Sequence, residues 1–253
     1  MRNIITLLVA AFALCSIVAC DNSSSHRIMS YNVRNCNGLD NKIDYQRIAN
    51  IIKNANVEAI AVQELDSMSA RYPNQDVLKN LADLTGMYPT FAPSINYQGG
   101  KYGIGMLTKE KPLSHRRVAL PCRSEPRSLL IVELEDYYYC CTHLSLHAED
   151  RETSIGIIVD ELSKLDKPVM IAGDFNAEPE EKAMKMMAED FVIFKKDATF
   201  PYTFPANKPD IEIDYICLFK SGEVSKFEVL EHSVIDAPVE SDHRPIVAEV
   251  KIN

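Results

Sequence analysis

Polar residues stand at the ends of several short apolar runs, where a buried core has no use for them. Asn32 follows residues 27–31, Gln63 and Glu64 follow 57–62, His143 follows 137–142, and Gly173-Asp174-Phe175-Asn176 follows 169–172. Nearer the carboxyl end come Ile213-Asp214-Tyr215 and Ser241-Asp242-His243-Arg244-Pro245. In sheet proteins, side chains at strand ends gather on one rim, and ligands bind there. The gathered set would include the carboxylates of Glu64, Asp174, Asp214 and Asp242, together with amides and the imidazoles of His143 and His243. Carboxylates packed this closely repel one another unless a cation sits among them. Oxygen ligands with no Cys and few His suit Mg²⁺ or Mn²⁺ better than zinc. Asp214, inside an apolar run, needs a partner if it is buried. His243 would supply one, and a carboxylate–imidazole pair holds a proton ready near neutral pH.

Each residue taken singly has a plainer reading. Asn32 alone suits a turn, Glu64 a helix start, and Gly173-Asp174 an ordinary strand-to-helix turn. Their order and their placement at strand ends carry the argument.

Short elements must bring these residues together. Residues 27–31 read as a strand. Residues 44–55 carry Ile48, Ile51, Ile52 and Ala55 at helical spacing. A strand over 57–62 follows, then a second one-faced helix over 75–85, stopped by Gly86. The middle turns to strands at 102–107, 129–134 and 137–142, the last two separated by turn-like Glu135-Asp136. Helices over 149–165 and 178–188 flank a buried strand over 169–172, and strands over 211–219, 227–231 and 246–252 complete the chain. No repeat, low-complexity stretch or linker divides residues 27–253. The pattern predicts one α/β domain whose sheets pack on each other beneath outer helices.

Of 253 residues, 46% are apolar and 25% charged, which excludes disorder, collagen and coiled coil. The 27 basic and 36 acidic residues give a net charge of −9, and residues 1–19 contribute only Arg2. Such a surface repels polyanions on average and argues against duplex binding through a broad basic face. Residues 1–19 read as an export signal: a cationic start, then an apolar stretch too short to span a bilayer comfortably. Ile17-Val18-Ala19-Cys20 resembles a bacterial lipobox, in which the cysteine becomes the lipidated first residue; the plainer alternative is a secretory signal with a chance Cys. Residues 20–26 are then the lipidated cysteine and a polar tether, and the expectation is an exported protein held at a membrane through Cys20 without spanning it. Five cysteines remain (Cys36, Cys122, Cys140, Cys141 and Cys217) without CxxC spacing, which is neither a zinc site nor a disulfide framework.

The motifs together are recognisable. Ser30-Tyr31-Asn32-Val33-Arg34, Gln63-Glu64, Tyr102-Gly103-Ile104-Gly105-Met106-Leu107, Thr142-His143-Leu144, Gly173-Asp174-Phe175-Asn176-Ala177, Ile213-Asp214-Tyr215-Ile216 and Ser241-Asp242-His243-Arg244-Pro245 occur in family order. The chain so resembles the endonuclease/exonuclease/phosphatase (DNase I-like) superfamily across essentially the whole mature domain. The resemblance implies a four-layer α/β sandwich, two mixed sheets face to face with helices outside. It implies that Asn32, Glu64 and Asp242 hold the divalent ion, Mg²⁺ or Mn²⁺, and that Asp174 orients or deprotonates the attacking water. Asn176 and His143 would contact the phosphate, and Asp214 would pair with His243, which stabilises charge in the transition state. Arg127 would match a phosphate-facing arginine, and Tyr102 and Arg151 are further candidates, structural or substrate-side.

The motifs fix the reaction, not the substrate. Nuclease members usually present basic loops; this chain is acidic, has no Trp, and its positive clusters, His115-Arg116-Arg117 and Arg123 with Arg127, are short. It also lacks the long apolar hairpin of membrane-inserting sphingomyelinases. The leading expectation is an exported, membrane-tethered, Mg²⁺-dependent phosphohydrolase acting on a phosphodiester or phosphomonoester. The alternatives are an extracellular nuclease and a non-catalytic phosphate-ligand binding protein on the same scaffold.

Overall fold

The computed structural model describes residues 24–73, 75–196, 200–220 and 227–252. The expected signal over 1–19 and the lipidation site Cys20 lie outside the described residues. In chain order the first elements are β1 (Ser24–Asn32), a 3-10 turn (Arg34–Cys36), α1 (Tyr45–Ala55), β2 (Ala59–Ser67) and α2 (Val77–Thr85). Next come β3 (Tyr88–Tyr97), β4 (Gly100–Thr108), β5 (Ser114–Leu120), β6 (Arg127–Glu133), β7 (Tyr138–His143) and α3 (Ala148–Leu162). Last are β8 (Val169–Asp174), α4 (Lys182–Asp190), β9 (Phe191–Ile193), β10 (Asp214–Phe219), β11 (Phe227–Val234) and β12 (Ile246–Ile252).

The strands form two six-stranded sheets, ordered β11-β12-β1-β2-β4-β3 and β5-β6-β7-β8-β10-β9. Both are mixed: β1 runs parallel to β2 and β7 parallel to β8, while their other neighbours are antiparallel. The alternation of side chains along each strand sends successive residues to opposite faces. Ile28, Ala59 and Ala61 therefore point between the sheets, with Cys141, Met170 and Ile216 opposite. Met29, Ile60 and Val62 point outward onto Ile48, Ile52, Leu78 and Leu81 of α1 and α2. In the other sheet Cys140, Ile171 and Cys217 point outward onto Ile155, Ile158, Met184 and Met187 of α3 and α4. Central strands buried on both faces read as continuous apolar runs rather than alternating ones, which is why the sequence marks them so clearly. The arrangement is the expected four-layer α/β sandwich. The five described cysteines are free thiols.

Local chemistry sets the element ends. Asp44 and Asp76 cap α1 and α2 by accepting from the backbone N–H of Arg47 and Lys79, and Gly86 ends α2 in the left-handed region at φ +75°. Several bounds differ from the sequence reading. β1 begins at Ser24, and Ser24, Ser25 and His26 pair with β12. β2 runs on to Ser67, placing Glu64 inside the strand. β3 carries no clean signal because Pro89 and Pro93 interrupt it; it tolerates them as an edge strand. The cluster His115-Arg116-Arg117 lies on β5, also an edge strand, with its charges outward.

Candidate active site

The carboxyl ends of β1, β7 and β8 and the start of β10 meet at one rim. Register fixes this: Asn32 pairs with Gln63, His143 with Asp174, and Asp174 with Asp214. Close packing of β7 on β8 requires Gly173, since a Cβ there would stand 2.0 Å from the Thr142 carbonyl oxygen. Asp174, next along, is thereby held against His143.

Asp174 is the hub. Its Oδ2 accepts from Asn32 Nδ2 at 3.1 Å and lies 3.4 Å from His143 Nε2 and 3.6 Å from His243 Nε2. Its Oδ1 accepts from the backbone N–H of Asn176 at 2.9 Å, a short-range turn that holds Asn176 at φ +48°. On the far side, Asp214 Oδ2 meets His243 Nδ1 at 2.9 Å, and both residues are buried. Asp214 Oδ1 is buried without a hydrogen-bond partner among the described residues. Burial opposes charge on His243, but Asp214 and then Asp174 outweigh it and raise the imidazole to about 10. Burial pushes Asp174 up to about 7, against the pull of His243 and with Asp214 adding to the rise. Burial, followed by Arg127 and His243, holds His143 well below its ordinary value, so it is neutral. The site thus contains one imidazolium and one imidazole in distinct surroundings.

Glu64 reaches the rim through a break in the β2–β4 register between Val62 and Leu65, where its own backbone sits at φ +59°. That conformation is rare for a glutamate and costs on the order of 1–3 kcal/mol; the bulge re-aims the side chain away from the sheet face. Glu64 Oε1 accepts from Asn32 Nδ2 at 3.0 Å, so one amide group bridges Glu64 and Asp174. Burial raises the Glu64 carboxyl and the nearby Asp242 raises it further. Asp242 is half-buried, with Arg34 Nε 3.5 Å away, and the preceding Ser241 ties the segment to the Asn32 carbonyl at 2.7 Å.

The donors Asn32 Oδ1, Glu64 and Asp242 are all oxygens on one corner of this rim, and the mutual repulsion of the two carboxylates is what a hard divalent cation would relieve. Asp174, Asp214 and His243 also lie close enough together to hold an ion. Two of those three, however, are bonded to each other, and the hydrogen bond accounts for their proximity.

The remaining sequence candidates divide. Arg127, buried at the start of β6, places Nη1 3.5 Å from His143 Nδ1 and 2.5 Å from Glu125 Oε1. Tyr102 lies at the same rim, its phenol raised by burial and then by Glu64. Asn176 Nδ2 donates to the Leu144 carbonyl at 3.0 Å, which leaves its second N–H for a ligand. Arg151 is not brought into the cluster: it donates to the carbonyls of Ser145 and Leu146 and pairs with Glu181, fixing the loop before α3.

Two contributors escaped the sequence reading. The Phe204 ring lies 4.9 Å from that of His243, on a loop pinned by Ala206 N donating to Asp242 O and Arg244 N donating to Thr203 O. Glu125 neutralises Arg127 from two residues away. A lone aromatic or acid in a loop has no periodicity to betray it.

The endonuclease/exonuclease/phosphatase family profile matches residues 29–243. No curated protein matches the chain. Among solved structures, an endonuclease/exonuclease/phosphatase from Bacteroides vulgatus superposes with TM-score 0.75 at 16% identity, covering 91% of this chain and 100% of that one. A Bacteroides thetaiotaomicron mannosyl-6-phosphatase gives TM-score 0.70 at 16% identity over 89% and 99%. The catalytic domain of human nocturnin gives 0.65 at 16% over 90% and 95%. At these identities the likeness is one of fold.

Proposed function

The chain belongs to the endonuclease/exonuclease/phosphatase family, and from that premise we propose that it is a divalent-metal-dependent hydrolase of phosphate esters. The observation that carries the reading is the placement of two imidazole Nε2 atoms around Asp174 Oδ2, that of His143 at 3.4 Å and that of His243 at 3.6 Å. Asp174 offers a carboxylate oxygen that accepts a proton of the attacking water and aligns it for in-line attack. Protonated His243, oriented through Nδ1 by Asp214, presents Nε2–H to a phosphoryl oxygen on which charge develops. Neutral His143, backed by Arg127, and the free N–H of Asn176 supply two further donors. Asn32, Glu64 and Asp242 would hold Mg²⁺ or Mn²⁺, which supplies Lewis-acid stabilisation of the same oxygens.

The charge distribution supports a small ester over a nucleic acid. Arg123 is committed to Glu149 and Asp150, Arg127 to Glu125, and Arg116 to Glu161, while Arg117 donates to the Ser128 hydroxyl, so most of the charge of the short basic clusters is matched within the protein. Export and anchoring through Cys20 complete the proposal. β1 starts at the pole opposite Asn32, roughly 26 Å away at ~3.3 Å per residue, so a tether entering at Ser24 would turn the catalytic rim away from the membrane.

Assay of the full chain against nucleic acid, an activated diester, an activated monoester, phospholipid and sugar phosphates, with Mg²⁺ or EDTA, tests the reading. Metal-dependent turnover of small esters is expected, with Asp174→Asn lowering it at least about a hundredfold. A folded Asp174→Asn protein of near wild-type activity would sink the assignment. Cleavage of polymer alone, with steep salt dependence, would make it a nuclease.

A further inference from the structure

Among the described residues, the start of β10 has a strand on one side only. Asp214 pairs with Asp174 of β8, whereas β9 pairs with Cys217, Leu218 and Phe219 further along. Past Ile193, Phe194 N still donates to Ile216 O at 3.0 Å. Carried on from there, the same antiparallel register brings position 196 beside Asp214. Lys196 occupies it with a fully buried side chain. Its Nζ donates to Glu212 Oε1 at 2.5 Å and lies 4.6 Å from the centre of the Tyr215 ring. Residues on both sides of Asp214 thus hold the ammonium. The Tyr215 hydroxyl is in turn shared between the carbonyls of Glu212 at 2.8 Å and Ala177 at 3.0 Å.

Stability alone does not account for an ammonium in this position. Lysine is rarely fully buried unless its charge is matched, and a buried ion pair exchanged for apolar groups of similar size is often neutral or stabilising. Burial lowers the Lys196 ammonium from its ordinary value, while Glu212 and then Asp214 oppose the change. The cation and the Asp214 carboxylate are therefore close enough to act on each other. Asp214 has little else to hold it: one oxygen meets His243 Nδ1, and the other is buried without a partner among the described residues. Its aim depends on where the backbone over 212–215 is fixed. On the side away from β8, Lys196 is the fastening.

We propose that Lys196 is a positioning residue for the hydrolytic centre: bound to Glu212 and seated on Tyr215, it closes the open edge of β10 so that Asp214 keeps its hydrogen bond to His243. Lys196 touches neither water nor phosphate in this scheme and acts only through Asp214. Its loss therefore slows the chemical step and leaves substrate binding as it was, resting on the phosphoesterase reading above for the reaction itself.

Lys196→Met keeps the length of the side chain and removes its charge. In the full chain with Mg²⁺ and p-nitrophenyl phosphate or its bis-ester, kcat should fall at least about tenfold with KM within about twofold. Added to Asp214→Asn, the same substitution should cost less than about a further twofold, because residues that act through one another are not additive. Proton NMR reads the contact without turnover: the downfield resonance of His243 Nδ1–H should weaken or shift in Lys196→Met. Should that variant fail to fold, Glu212→Gln, which weakens the hold on the ammonium, is put through the same measurements with the same expectations. An unchanged kcat in a folded variant, or an equal loss with and without Asp214→Asn, overturns the proposal and leaves the hydrolase standing. If no phosphate ester is turned over, the hydrolase reading falls and the resonance decides alone. Unmoved by Lys196→Met, it overturns the positioning role as well; moved, it upholds the hold of Lys196 on Asp214.

Discussion

His243 Nδ1 lies 2.9 Å from Asp214 Oδ2, and the opposite nitrogen of the same ring faces Asp174 at 3.6 Å. One carboxylate therefore orients the imidazole and a second lies where the reacting water would be held. The two acids sit on paired residues of adjacent antiparallel strands, so neither can move without the other.

Asp214→Asn removes the charge that keeps His243 protonated while preserving the size of the side chain. Turnover should fall at least about a hundredfold, with near-native circular dichroism. An unchanged kcat would show that the pair is structural only.

Chelation should abolish turnover, and Mg²⁺ or Mn²⁺ should restore it. Glu64→Gln is expected to raise the half-saturating metal concentration about tenfold or more, because a carboxylate is replaced by a weaker neutral oxygen. Titration of activity against free metal reads this directly.

Gly173→Ala would drive a Cβ to 2.0 Å from the Thr142 carbonyl and force β7 from β8. The expected loss is about 1–3 kcal/mol in urea unfolding. Activity should fall too, since Asp174 is the next residue; a stable and fully active variant would contradict the close packing.

His232 is buried edge-on to Phe194, on β11 opposite Ala248 of β12. Burial and then Lys196 lower it to about 3 from an ordinary 6.5. The unfolded chain binds a proton there that the native state does not, so stability is present above pH 6.5 and drains as pH falls toward 3. His232→Phe should flatten urea-unfolding stability over that window by up to one proton, about 1.4 kcal/mol per pH unit. An acid limb of undiminished slope would show that the ring is protonated in the native state.

Much of this protein is legible from the chain alone. Apolar runs mark where strands are buried, and the polar residue that ends each run marks where the chain reaches the rim, because both follow from local burial. Asn32, Glu64, His143, Asp174, Asn176, Asp214, Asp242 and His243 are all picked out that way, and the family resemblance adds the role each would take. Helix ends at Asp44, Asp76 and Gly86 are equally local, being settled by hydrogen bonds within a few residues. The direction of a side chain is not local. Glu64 owes its aim to a register break against β4, and Arg151 was drawn from the site by Glu181, thirty positions away. The Arg71 guanidinium, paired with buried Asp66, meets Tyr97 and Tyr102 of the β3–β4 hairpin. Strand ends are decided by which residues leave water, a property each residue carries; contacts are decided by which strands meet and in what register, which only the folded chain determines.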